Sequence, residues 1–296
     1  MLNPMLVAFM AIAIIAGFAI RPARPPASPA FAAYRSRLRR NLGISLALPI
    51  GFALYGLVAS GISASRGERT THYPRGVYTL MELVIGYGFI LLPLLALLIT
   101  ELGTRTPSTR VATLTTRSPS ALIPRWLLVT VGAAIGLATV TVLLAIATDG
   151  GLGEAHSAVR FDVGTRRLLL SLGQVLVAAA LATWVVRLVL QRPDLDPESP
   201  SDAWSRSGVA IRATTLAALA AIGCFIAGLS TFRSAWWKFH DWQGQHGDSV
   251  HSLTERLSLP LLTDIVGLAA MAVGVVLLVA FVKPPVLVPG KAGTPR

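Results

Sequence analysis

The sequence predicts an all-α fold: a polytopic integral membrane helix bundle of about seven transmembrane helices, N-terminus out and C-terminus in. Three observations carry this. Charged residues make up 14% of the 296 residues and hydrophobic residues 53%, with a mean hydropathy of +0.64. A soluble domain carries about 25% charged residues, so this chain lacks the groups that keep a surface in water. Apolar runs of about 18 residues or more, enough to cross a hydrocarbon core, recur along it. The 26 Lys and Arg fall between those runs, as flanking anchors do, and not along a stripe. The net charge of +12 therefore points to a membrane and away from nucleic acid.

The first run, residues 2–20, has no charge before it and a basic block after it, Arg21, Arg24, Arg35, Arg37, Arg39 and Arg40. A cleaved signal peptide has the reverse order, a basic start before a shorter apolar core. The positive-inside rule puts the N-terminus outside and this block in the cytoplasm. The Pro-rich RPARPPASPA within it reads as an extended linker. Six further spans follow at about 42–63, 79–100, 126–147, 168–190, 209–231 and 261–282. On this arrangement 17 basic residues lie on the inner side and nine on the outer, with the bias repeated from loop to loop. No polar segment is long enough to bury a core of its own, so residues 1–296 read as a single membrane domain with no soluble domain. The scarcity of Lys beside Arg, with abundant Ala and Gly, suggests a bacterial source and the bacterial cytoplasmic membrane.

Within the spans, Gly132 and Gly136 form a GxxxG pair suited to close helix contact. The sixth span, rich in Ala and other small residues, is expected at the centre of the bundle. Pro49 and Pro93 fall mid-span. Trp126 and Trp184 sit near the inner boundary, as interfacial anchors do. The acidic, Pro-rich PDLDPESPSD between the fifth and sixth spans reads as a solvated linker. Cys224 is the only cysteine, which excludes a disulfide framework, a Cys-based zinc site and a thioredoxin-type motif.

Chemistry-bearing residues concentrate in the third outer loop, 232–260. Asp248, His251 and Glu255 are spaced to share one helix face, and with His240 or His246 folded over them they form a candidate outer-face divalent-metal site. Local structure explains the same residues: Ser252 and Glu255 fit a capping box, and Pro260 suits the first turn of the last span. Trp236, Trp237 and Trp242 fit the headgroup layer as membrane-interface anchors. Glu82, Gln174 and Asp264 lie a short way into their spans from the outer side and sketch a polar substrate vestibule. No acid falls at the bilayer midplane, which argues against a carboxylate proton relay. No zinc-protease, Walker A or nucleophile-elbow motif occurs, and no cofactor other than the candidate metal is implied.

The opening span followed by the basic segment containing AAYRSRLRR resembles bacterial membrane proteins of the SdpI-like immunity type. The likeness covers little more than one span and a linker, and no site residue follows from it. The functional expectation is a transport-associated protein, a small permease or the membrane partner of a transporter. The alternative is a non-catalytic envelope sensor or immunity-type protein acting through its outer loops. An enzyme is not expected, because no nucleophile–base pair or complete metal set emerges. Expected partners are the lipid bilayer and another membrane protein or a second copy of the chain.

Overall fold

The computed structural model describes residues 28–65, 75–104, 119–155, 165–192, 195, 200–245 and 253–284, with side chains left out over 75–86, 148–155, 165–167, 235–245 and 253–260 among others. Among these residues the protein is all-helical. Six long helices follow one another: α1 Pro29–Ser65, α2 Arg75–Leu102, α3 Arg125–Ala155, α4 Thr165–Gln191, α5 Pro200–Gln245 and α6 Leu253–Val282, with one isolated turn at Pro119–Leu122. Four segments are long and apolar enough to cross a membrane: Arg125–Ala147, Leu168–Gln191, Asp202–Ser234 and Leu261–Val282. The chain is a helical membrane protein. The expected first span, 2–20, lies outside the described residues, and the second, 42–63, lies within α1.

Several helices run past the expected spans. α1 starts within the Pro-rich segment because Ser28 and Pro29 supply a start signal. Ser28 Oγ accepts the amide N–H of Phe31 at 3.2 Å, which is N-cap geometry, and Pro29 takes the first helical position, where its missing N–H costs nothing. Likewise α5 begins at Pro200, inside the stretch expected to be a solvated linker. It continues through Gln245, into the loop expected at 232–260. α6 then runs unbroken through Pro260, which was expected in the first turn of the last span.

The described chain forms two compact units. Unit 1 comprises Met1–Arg125, Ala180–Leu216 and Leu278–Arg296, and unit 2 comprises Trp126–Ala179 and Ala217–Leu277. In unit 1 the core is built from Phe31, Tyr34, Leu94, Leu97, Val185, Val189 and the start of α5, Val209 to Ala213. In unit 2 Ala138, Val142, Val175, Ala178 and Ala221 are buried. The sixth span, expected at the centre of the bundle, is the most buried of the four: 78% of its window is buried, against 17–28% for the other three. The reason is its small side chains. Lipid tails are as apolar as Leu, so helices associate in a membrane by close packing, which Ala and Gly permit. α6 is the opposite case, with Leu261, Ile265, Leu268, Val275 and Val279 all more than half exposed, as befits a lipid-facing helix.

The expected GxxxG contact is not made among the described residues. Added Cβ atoms at Gly132 and Gly136 would meet nothing within 4 Å. The tight approach of α3 to another helix lies elsewhere, in unit 2, where a Cβ at Gly228 of α5 would stand 3.0 Å from Thr141 Oγ1 and 3.2 Å from Thr141 Cβ. That hydroxyl cannot swing away freely, because it donates to the carbonyls of Leu137 and Ala138 at 2.8 and 3.0 Å. Spacing marks which residues share a face. It does not say what the face meets. Gly228→Leu is therefore expected to cost about 1–3 kcal/mol by overpacking, with partial rescue by Thr141→Ala. Gly132→Ala and Gly136→Ala should leave stability unchanged or raise it slightly. Thermal unfolding of the purified variants in lipid nanodiscs checks the ranking.

Candidate functional site

The described polar groups gather at one place in unit 1, where the starts of α1 and α5 meet the ends of α2 and α4. Glu101 lies in the last turn of α2, and Arg192 directly follows α4. Asp202 lies in the first turn of α5 and Arg206 one turn later. Elementary electrostatics favours three of these placements. A cation after the C-terminus of α4 and an acid at the N-terminus of α5 each complement the helix dipole, and Asp202 with Arg206 is an i, i+4 pair. Glu101 is the exception, a carboxylate at the negative end of its helix, and it requires compensation.

Arg192 supplies it. Its Nη1 donates to Glu101 Oε1 at 3.2 Å and its Nη2 to Asp202 Oδ1 at 2.9 Å. On the far side of Asp202, Arg206 donates from Nε and Nη2 to Oδ2 at 3.1 and 3.0 Å. Tyr34 of α1 closes the cluster: its hydroxyl donates to Glu101 Oε1 at 2.6 Å, and the Arg192 guanidinium lies 4.4 Å from its ring centroid. Burial holds the Tyr34 hydroxyl well above its ordinary pKa, with the Arg192 charge only partly offsetting it. The phenol therefore stays protonated as a donor to the carboxylate. All four charged side chains are 4% exposed or less. Among the described residues of the cluster two cations face two anions, which is how charges are kept in such a place. Arg192 Nε has no partner among the described residues.

Bonds around the cluster tie in the neighbouring backbone. Arg37 Nη1 donates to the carbonyl of Gly103 just past α2 at 3.0 Å, and Asn41 Nδ2 to Thr100 Oγ1 at 2.9 Å. Ser28 Oγ donates to the Leu195 carbonyl at 3.3 Å. Ser207 Oγ reaches the Leu122 carbonyl at 2.9 Å, and Arg212 Nε the Phe281 carbonyl at the end of α6 at 3.1 Å. Thus every long helix that enters unit 1 at this end is joined to another by a side chain.

The residues anticipated from the sequence fall elsewhere. Asp264, on the exposed side of α6, forms an ion pair with Arg233 of α5. Gln174, on α4, is half-buried, and its side-chain nitrogen has no partner among the described residues. Asp264 and Gln174 both belong to unit 2. Glu82 is on α2, His240, Trp236, Trp237 and Trp242 are on α5, and Glu255 is on α6, but their side chains lie outside the described residues. His246, Asp248 and His251 lie outside them altogether. Among the described residues no group of three or more His, Cys, Asp or Glu is placed to hold a metal.

Sequence reading missed the buried cluster. Arg192 and Arg206 counted there as membrane-flanking charges, Asp202 as linker, and Glu101 not at all. A signal was present: Glu101 closes an apolar helix on a side otherwise dominated by Arg. An acid in that setting asks for a partner. No protein-family model, no curated protein and no solved structure matches the chain.

Removing one partner of a buried pair strands the other, so Arg192→Met is expected to cost about 3–5 kcal/mol. Combining it with Glu101→Leu should recover part of that loss, and a double-mutant cycle on thermal unfolding measures the coupling. The exposed Arg233–Asp264 pair should show a coupling of about 1 kcal/mol or less in the same experiment.

Proposed function

We propose that the chain is a transport-associated membrane protein. On this reading the Tyr34–Glu101–Arg192–Asp202–Arg206 cluster is a lock that holds the ends of α1, α2, α4 and α5 closed in one of two states. The burial of four charges at helix ends carries this reading. A buried ion pair is weak support for stability, since apolar side chains of similar volume often do as well or better. What such a cluster supplies is selection. It favours one arrangement strongly while its partners are together, and it becomes solvated, at far lower cost, once the helix ends part and water enters. A bundle that admits a solute needs an element of that kind, bistable and not merely firm.

The remainder of the reading rests on the sequence. The protein is taken to cross the bacterial cytoplasmic membrane seven times, N-terminus out, with the lock on the cytoplasmic side among the Arg-rich segments. The candidate vestibule at Glu82, Gln174 and Asp264 belongs to the outer side. The ion pair of Asp264 with Arg233 is compatible with a polar outer rim.

Ala210, fully buried one turn beyond Arg206, offers a direct test. In a Cys224→Ser background, Ala210→Cys should react slowly with a membrane-impermeant maleimide when the lock is intact. Neutralising both acids, Glu101→Gln with Asp202→Asn, should raise the rate at least about tenfold, the equivalent of shifting the equilibrium by about 1.4 kcal/mol. The folded state is verified by a cooperative thermal transition. An unchanged slow rate in a folded double variant would remove the two-state premise, and with it the transport reading.

A further inference from the structure

The cluster consumes two acids, yet the same end of unit 1 carries more cations, all at or near the surface. Arg39, Arg40, Arg125, Arg187 and Lys283 are exposed, and no acid partners them among the described residues. Their positions relative to the apolar faces are regular. On α1 the outward face runs Arg40, Ile44, Leu48, so the cation stands one turn before the first exposed apolar side chain. On α4 Trp184, 51% exposed, is followed one turn later by Arg187. On α6 Val279, 59% exposed, is followed one turn later by Lys283. Three helices thus end their exposed apolar faces in a cation, and Trp204 stands exposed at the start of α5.

The bonds of unit 1 bring these ends together. Arg37 joins α1 to the end of α2, and Arg192 joins α4 to α2 and α5. Arg212 of α5 reaches the α6 backbone two residues before Lys283. The cations therefore form a collar at this end of unit 1, beside the exposed apolar faces of α1, α4 and α6. Arg35 and Arg39, one turn apart on α1, strengthen the case. The Arg35 guanidinium is held below its ordinary pKa by partial burial and by the charge of Arg39. Like charges at this spacing repel, and an external anion relieves them.

We infer that this collar is a binding surface for anionic phospholipid headgroups, with phosphates seated among Arg40, Arg187 and Lys283 and the acyl chains along the apolar faces next to them. Charge complementarity selects the occupant. A zwitterionic headgroup brings no net charge to cations that have no acid partner among the described residues, whereas an anionic one does, and each nearby Lys or Arg adds to the attraction. A soluble anion would satisfy the guanidinium groups but leave the adjoining apolar faces without a match. The inference stands apart from the transport reading and survives its failure.

The test uses the full-length protein in mixed micelles with brominated-chain lipids, which quench tryptophans such as Trp184 beside the collar. Wild type is expected to bind brominated phosphatidylglycerol about tenfold more tightly than brominated phosphatidylcholine, and the preference should shrink as salt is raised. The triple variant Arg40→Gln, Arg187→Gln, Lys283→Gln should bind both lipids alike, with unchanged quenching by phosphatidylcholine showing that it remains folded and lipid-embedded. Equal affinities in the wild type, or a full preference retained by the triple variant, would overturn the inference. So would displacement of phosphatidylglycerol by inorganic phosphate but not by sodium chloride of equal ionic strength, since that would make the collar a site for free phosphate.

Discussion

Arg192 is the residue on which unit 1 depends. Its guanidinium cannot be discharged at any ordinary pH, so wherever it is buried two conditions follow. Its charge must be matched, and its planar fork must find acceptors in its own plane. Glu101 and Asp202 meet both conditions from different helices, and the Tyr34 ring covers one face of the fork. Each acid in turn needs a second donor, which Tyr34 and Arg206 provide. The positions of four helix ends follow from the geometry of one side chain. Lys could not do this, since a point charge neither bridges two carboxylates in a plane nor stacks.

The same end of the protein carries two populations of basic residues with opposite roles. Arg192 and Arg206 are internal and neutralised within the chain. Arg40, Arg187 and Lys283 are external, with no acid partner among the described residues. A count of charges between spans treats them alike. It measures a tendency of whole loops and is indifferent to which cations point inward.

That difference explains how much was legible beforehand. Class and helical character followed from apolar runs and sparse charge. The burial of α5 followed from its Ala and Gly content, because in lipid small residues decide which helix can be surrounded. The cluster was not legible, for a physical reason. Glu101 and Arg192 stand 91 residues apart, and no local periodicity links them. Asp202 was hidden by its surroundings, an acidic Pro-rich stretch whose composition resembles a solvated linker even though its last residues start a helix. Gly132 and Gly136 misled in the other direction. Their spacing suits a helix contact, yet the contact forms at Gly228 and Thr141, where only one glycine is needed. The stretch that looked richest in chemistry, 232–260, is carried largely as extensions of α5 and α6, and most of its side chains lie outside the described residues.

The sequence distance between the partners of the cluster has a consequence for how the protein is made. Glu101 leaves the ribosome well before Arg192, and Asp202 comes after both. A carboxylate at the end of α2 must therefore wait through the synthesis of α3 and α4 with no cation from those later segments. It can wait cheaply only in water, at the edge of the membrane, and not inside it. The junction is complete only when α5 arrives, because Asp202 supplies the second acceptor of Arg192. A chain cut short before α5 would keep the bonds between α1 and α2 but lack those that Asp202, Arg206 and Arg212 supply.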